Sequence, residues 1–129
     1  MGNVDAEDKF FEAVEAFKIA DEKARSGGLS NINGRAFRSV IIDLDAAIPG
    51  LSDESLGRAL LLKGTCFYWV HLGELTKKKS IFFDVDAPPH PLLVEGLACA
   101  VEGREILKQR GCVQELPWAN DIVSKLGGQ

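Results

Sequence analysis

The sequence predicts an all-α fold of antiparallel helix hairpins, and three observations carry that expectation. Apolar residues recur at alternating steps of three and four over most of the chain, which is the spacing of one face of a helix. Glycine and proline cut this pattern into stretches of helical length. Only Ile81 to Val85 could form even a short extended piece, so no strand is needed to house the apolar residues. A chain of 129 residues has the commonest single-domain size, and one helical domain over 1–129 is expected.

The first helix, about 5–26, places Ala6, Phe10, Ala13, Phe17, Ala20 and Ala24 on one stripe. Asp5, Glu7 and Asp8 at its start and Lys23 and Arg25 near its end agree with the helix dipole, and Ser26-Gly27-Gly28 stops it. The second, about 31–48, has Ser30, Asn31 and Asn33 as candidate caps and runs through Phe37, Val40, Ile41, Leu44, Ala47 and Ile48 to Pro49-Gly50. The link Pro49-Gly50-Leu51-Ser52 is so short that the next helix must return alongside.

That third helix, about 52–75, opens on Ser52 as N-cap, with Asp53 and Glu54 in its first turn. Its apolar residues, from Leu56 through Leu60, Leu61, Leu62, Cys66, Phe67, Trp69 and Val70 to Leu72, occupy nearly the whole circumference. A helix apolar all round must be covered on several sides, so the third helix is expected at the centre. A long loop, about 76–90, follows. Pro91 suits the first turn of a fourth helix, about 91–110, with Leu93, Val94, Leu97, Ala98, Ala100, Val101 and Leu107 as its apolar set and Gly111 just past its end. A short fifth helix, about 117–126, carries Trp118, Ile122, Val123 and Leu126.

Composition excludes several function classes. With 46% hydrophobic and 26% charged residues, the chain reads as globular rather than disordered. A net charge of −4 and a pI near 5.2 argue against a nucleic-acid surface, which needs clustered cations to neutralise phosphates. Lys77-Lys78-Lys79 is read as a solvated helix end that complements the negative dipole terminus. Cys66, Cys99 and Cys112 form no CxxC, and their odd number fits reduced thiols in a cytoplasmic protein. The acidic start lacks the apolar stretch of a signal peptide, and no run approaches the ~20 apolar residues of a membrane span. Met1-Gly2 opens like a myristoylation signal, but Ala6 stands where Ser or Thr is required.

Two stretches resemble a known repeat. In Val40-Ile41-Ile42-Asp43-Leu44-Asp45-Ala46-Ala47-Ile48, Val40 and Ala47 stand at small-residue positions and Leu44 at an aromatic one. From Cys66 through Trp69 to Leu72-Gly73, Cys66 stands for a glycine and Trp69 for a tyrosine. These are similar to the second and first helices of the tetratricopeptide-repeat family, covering at best residues 6–110. The resemblance implies stacked helix hairpins and a protein-binding groove. A four-helix bundle satisfies the same apolar stripes.

Candidate chemistry is sparse. The two histidines, His71 and His90, offer no spacing for a nucleophile and base: Cys66 and His71, five apart on a helix, point to different faces. Asp84-Val85-Asp86 lacks the further ligands of a calcium loop, so no metal is expected. Gly27-Gly28 and Gly34 lack the strand and Gly-Lys-Ser/Thr of a phosphate loop, so no cofactor is expected either. Trp69, Trp118, Phe10, Phe17, Phe37 and Phe67 are read as core, with Trp118 lying over the last helix pair. Ile81-Phe82-Phe83 would contribute roughly 5–8 kcal/mol if packed on the helices, or form a patch for a partner if exposed.

The leading expectation is therefore a non-catalytic interaction module that binds a protein or peptide partner or its own copy. Its binding residues are expected to be Arg58, Lys63, Tyr68 and His71 of the third helix, with Ile81, Phe82 and Phe83. Two alternatives remain, a small-ligand-binding or enzymatic helical domain with a pocket under the 73–91 loop, and a small acidic inhibitor or immunity-type protein.

Overall fold

A computed structural model describes residues 2–27, 32–78 and 90–128, with side chains over 5–27, 32–74 and 90–128. The described residues form five α-helices and no strand: α1 (Gly2–Gly27), α2 (Gly34–Ala47), α3 (Asp53–Lys78), α4 (Pro91–Gln109) and α5 (Leu116–Lys125). Short 3-10 turns at Ile48–Gly50 and Val113–Glu115 precede α3 and α5. The all-α expectation holds, with shifted ends. α1 begins three residues before the expected Asp5, and α3 continues past residue 75 to Lys78.

The punctuation acts through identifiable groups. Asn33 caps α2, its side chain accepting the Ala36 N–H at 3.2 Å. Pro49 and Gly50 turn the end of α2 into a 3-10 helix rather than a bare stop. α4 starts on Pro91 as expected, but its cap is His90, whose Nδ1 accepts the Leu92 N–H at 3.1 Å. Gly111, at φ 73°, takes the left-handed conformation past the end of α4, and the Cys112 N–H reaches back to the Leu107 carbonyl at 2.9 Å.

Cross-helix partners fix the directions. Lys63 pairs with Asp45 and Glu74 with Arg38, so α3 runs up as α2 runs down. Gly57 lies by Gly103 and Gly64 by Gly96, which sets α3 and α4 antiparallel. Arg58 meets Glu115 and Lys125 lies over Tyr68, so α5 is parallel to α3. α1 touches α3 and α3 touches α5, whereas α2 and α4 are not in contact. The row therefore curves toward its odd-numbered helices. α1 and α4 do not touch either, as they would in a closed four-helix bundle.

α3 is central, as its apolar circumference predicted. Ala59, Leu62, Cys66, Phe67 and Val70 join Ala13, Phe37, Val40 and Leu44 in a core shared with α1 and α2. Leu61 joins Ala100, Leu107, Ala119, Ile122 and Val123 in a second core with α4 and α5. Phe37 stacks on Trp69 with ring centroids 5.6 Å apart and meets the edge of Phe17 at 5.9 Å.

The packed face of α4 keeps most of the apolar set expected, with Ala100 and Leu107 buried and Leu93, Leu97 and Val101 packed on the second core, but it departs from that set at four positions. Val94 and Ala98 are exposed, while Gly96, Ala100, Gly103 and Leu107 are buried. The reason is backbone proximity: a Cβ on Gly103 would sit 2.6 Å from the Gly57 carbonyl oxygen, and one on Gly64 would sit 2.9 Å from that of Gly96. Small residues thus mark the points of closest approach in this pair, with Leu107 packed against Gly57 beside them. Gly103→Ala is expected to lower unfolding stability by about 1–3 kcal/mol in urea denaturation, because overpacking there meets backbone. Gly34→Ala, whose Cβ meets nothing within 4 Å, is expected to raise stability by about 0.5–1 kcal/mol.

Candidate functional site

The curvature of the row leaves a cleft between α1 on one side and the start of α5 on the other, with α3 as its floor. Phe10, Val14 and Phe17 of α1 form one wall, Leu62 and Arg58 the floor, and Glu115 and Trp118 the far wall, with Lys18 at the rim. The cleft encloses about 360 Å³. Phe10, Val14 and Phe17 follow the four-then-three spacing of a helical stripe, so α1 presents all three on one side. Their inner edges pack against the first core; their outer edges line the cleft. Trp118 is 37% exposed and faces α1 across the cleft, rather than covering the last helix pair.

The lining of the cleft includes a charged pair. Arg58 Nε donates to both oxygens of Glu115, at 2.8 and 2.9 Å, and Nη2 approaches Oε1 at 2.7 Å. This fork-to-carboxylate geometry ties α3 to the turn before α5. The hydrogen bond to Glu115 is the main reason that the guanidinium holds its proton more tightly than an ordinary arginine, although burial opposes it.

The four expected residues of α3 do not share one groove. Arg58 alone lines the cleft. Lys63 turns toward α2, where Nζ meets Asp45 at 2.6 Å, and its side chain is only 15% exposed. Burial lowers the Lys63 pKa, but the hydrogen bond to Asp45 and the neighbouring Cys99, Asp45 and Glu95 outweigh it and hold the ammonium charged. Tyr68 packs on the second core with Lys125 above its ring at 5.9 Å. His71 lies against His90, ring centroids 4.9 Å apart. The physical cause is the helical period: each step of five residues turns the side chain by about 140°, so Arg58, Lys63 and Tyr68 point three ways. Ile81, Phe82 and Phe83, like Asp84-Val85-Asp86, lie outside the described residues.

The residues that the sequence reading left out are Phe10, Val14, Phe17 and Trp118 as binding groups, with Leu62 and Glu115. Their apolar periodicity was visible, but periodicity does not distinguish a stripe covered by a neighbour from one left partly open. Cys66 is buried in the first core, which pushes its thiol well above the ordinary value and leaves it a small apolar side chain. A second, polar depression of about 240 Å³ lies between the start of α2 and the end of α3. Arg38 and Glu74 already satisfy each other there at 2.9 Å.

The two ion pairs should respond differently to removal of one partner. Asp45→Asn strips the counter-charge from a largely enclosed lysine and is expected to cost about 1–3 kcal/mol in chemical denaturation. Glu115→Gln acts on side chains 41% and 28% exposed and is expected to cost less than about 1 kcal/mol. Comparison of the chain with protein-family models, with curated proteins and with solved structures finds no match.

Proposed function

We propose that this protein is a non-catalytic interaction module of tetratricopeptide-like form, which holds a short apolar segment of a partner protein in the cleft between α1, α3 and α5. The observation that carries this reading is the cleft itself: Phe10, Val14, Phe17, Leu62 and Trp118 converge on one open volume instead of closing on each other. Aromatic and aliphatic walls of this kind suit the anchor residues of an amphipathic segment, whose burial supplies most of the binding energy. The mixed charges among the lining residues, Lys18, Arg58 and Glu115, favour a segment that carries polar groups beside its apolar ones. Parallel odd-numbered helices lining one face, with the even-numbered helices behind, are the arrangement in which stacked hairpins present such a groove.

A second reading places a small apolar ligand in the same cleft, since its volume falls within the ~300–1,000 Å³ range of ligand sites. Peptides selected from a random library against the purified protein separate the two. On the leading reading they carry apolar residues at helical spacing, and Trp118→Ala weakens them by at least about tenfold, as loss of an interface anchor does, without lowering the unfolding midpoint by more than a few degrees. Peptides that bind the variant as tightly as the parent chain would remove the cleft from consideration. A thermal shift with an apolar metabolite, abolished by Trp118→Ala in the absence of any peptide binding, would favour the small ligand.

A further inference from the structure

The α3–α4 pair is closed at one end by two imidazoles. His90 caps α4 through Nδ1, which accepts the Leu92 N–H at 3.1 Å. A ring nitrogen that accepts cannot carry a proton, so this cap exists only while His90 is neutral, with its hydrogen on Nε2. That Nε2 faces Glu74 Oε2 at 3.5 Å. His71 stands beside it with its ring centroid 4.9 Å away, and His71 Nδ1 is buried with no hydrogen-bond partner. Glu74 is shared with Arg38 of α2 at 2.9 Å, and Arg35 lines the same depression. Among the described residues, then, one carboxylate faces two imidazoles and two guanidinium groups.

We infer that His71, His90 and Glu74 form an acid-sensitive latch on the first turn of α4, closed while both imidazoles are neutral and released when they take up protons. A proton on His90 Nδ1 removes the acceptor of the Leu92 N–H and sets two N–H groups against each other. It also places positive charge at the N-terminus of a helix, where the macrodipole opposes it. A second proton on His71 adds a like charge at ring-contact distance, which Glu74, already held by Arg38, cannot neutralise twice. Burial and the charge of His90 hold His71 below the ordinary histidine value, with Glu74 a partial offset. The sign follows: with its folded-state value depressed, His71 costs nothing well above about pH 6.5, and stability is lost as the pH falls below that value, where the unfolded chain takes the proton first. Release acts on the first turn of α4, where the His90 cap holds the Leu92 N–H and Leu92 packs on the first core, whereas the glycine contacts from Gly96 onward do not involve either imidazole.

Amide hydrogen exchange of the full chain, corrected for intrinsic rates, tests this between about pH 7.5 and about pH 5, the interval that brackets histidine protonation. Opening at Leu92 is expected to rise at least about tenfold on acidification, while the Leu107 amide changes little. His90→Asn keeps a capping oxygen but does not titrate in this interval, and its Leu92 opening should rise far less than in the parent chain, with only His71 left to take up a proton. In the parent chain, the midpoint of the His90 ring-nitrogen shift should coincide with that of Leu92 opening. A Leu92 profile independent of pH, an equal rise in His90→Asn, or midpoints that differ would overturn the latch.

Discussion

Where α3 and α4 cross, glycine brings backbone against backbone, and the rest of the arrangement depends on that approach. Gly57 lies against Gly103 and Gly64 against Gly96 and Ala100. Four glycines carry a conformational cost, since each could otherwise be a better helix former. What offsets that cost is the dispersion gained when two helices pack with few side chains between them. With α4 drawn so close on one side, α3 keeps its other faces free for α1, α2 and α5. Its apolar circumference is thereby divided between two cores instead of being left exposed.

The cleft is a consequence of the same geometry. Because each even-numbered helix bridges the odd-numbered ones before and after it without touching the other even-numbered helix, the row bends, and α1 and α5 stand on either side of α3 without meeting. Phe10 and Phe17 of α1 then have one edge in the first core and one toward the gap, and Trp118 faces them from α5. The ionic contacts sit where helices meet: Arg58–Glu115 holds α3 to the turn before α5, Lys63–Asp45 holds α2 to α3, and Asp53–Arg110 joins the start of α3 to the end of α4. Asp53 itself adopts φ 53°, a left-handed conformation that aspartate tolerates better than most residues, so the chain enters α3 by a sharp turn. Charges at these junctions fix register more than they add stability, since most are half exposed.

The two ends of the α3–α4 pair are built from different chemistry. At the end formed by Asp53 and Arg110, a carboxylate and a guanidinium meet. At the other end, two histidines share a single carboxylate. Only the second end carries imidazoles, the side chains whose ordinary titration range lies nearest neutral pH.

The helices themselves were legible in the order of residues. The stripe from Ala6 to Ala24, the all-round apolar surface of α3, the polar run of Ser30, Asn31 and Asn33 that holds the cap of α2, Pro91 at the start of α4 and Gly111 after it are local patterns, and local backbone preference answers to local sequence. The inner face of α4 was legible at Ala100 and Leu107 but not at Gly96 and Gly103, because the contact there is made by glycine backbone, which carries no apolar side chain to count; the spacing of Gly96, Ala100 and Gly103 was the signal available. The dispersal of Arg58, Lys63, Tyr68 and His71 followed from helical angle and could have been read from their spacing. Which of the apolar stripes remain partly open is a different matter. Phe10 and Phe17 have the same periodicity as the fully buried Ala13 and Ala20, and only the curvature of the assembled row decides that α5 stops short of α1. Periodicity specifies which side of a helix is apolar, and packing between distant segments determines whether anything covers it.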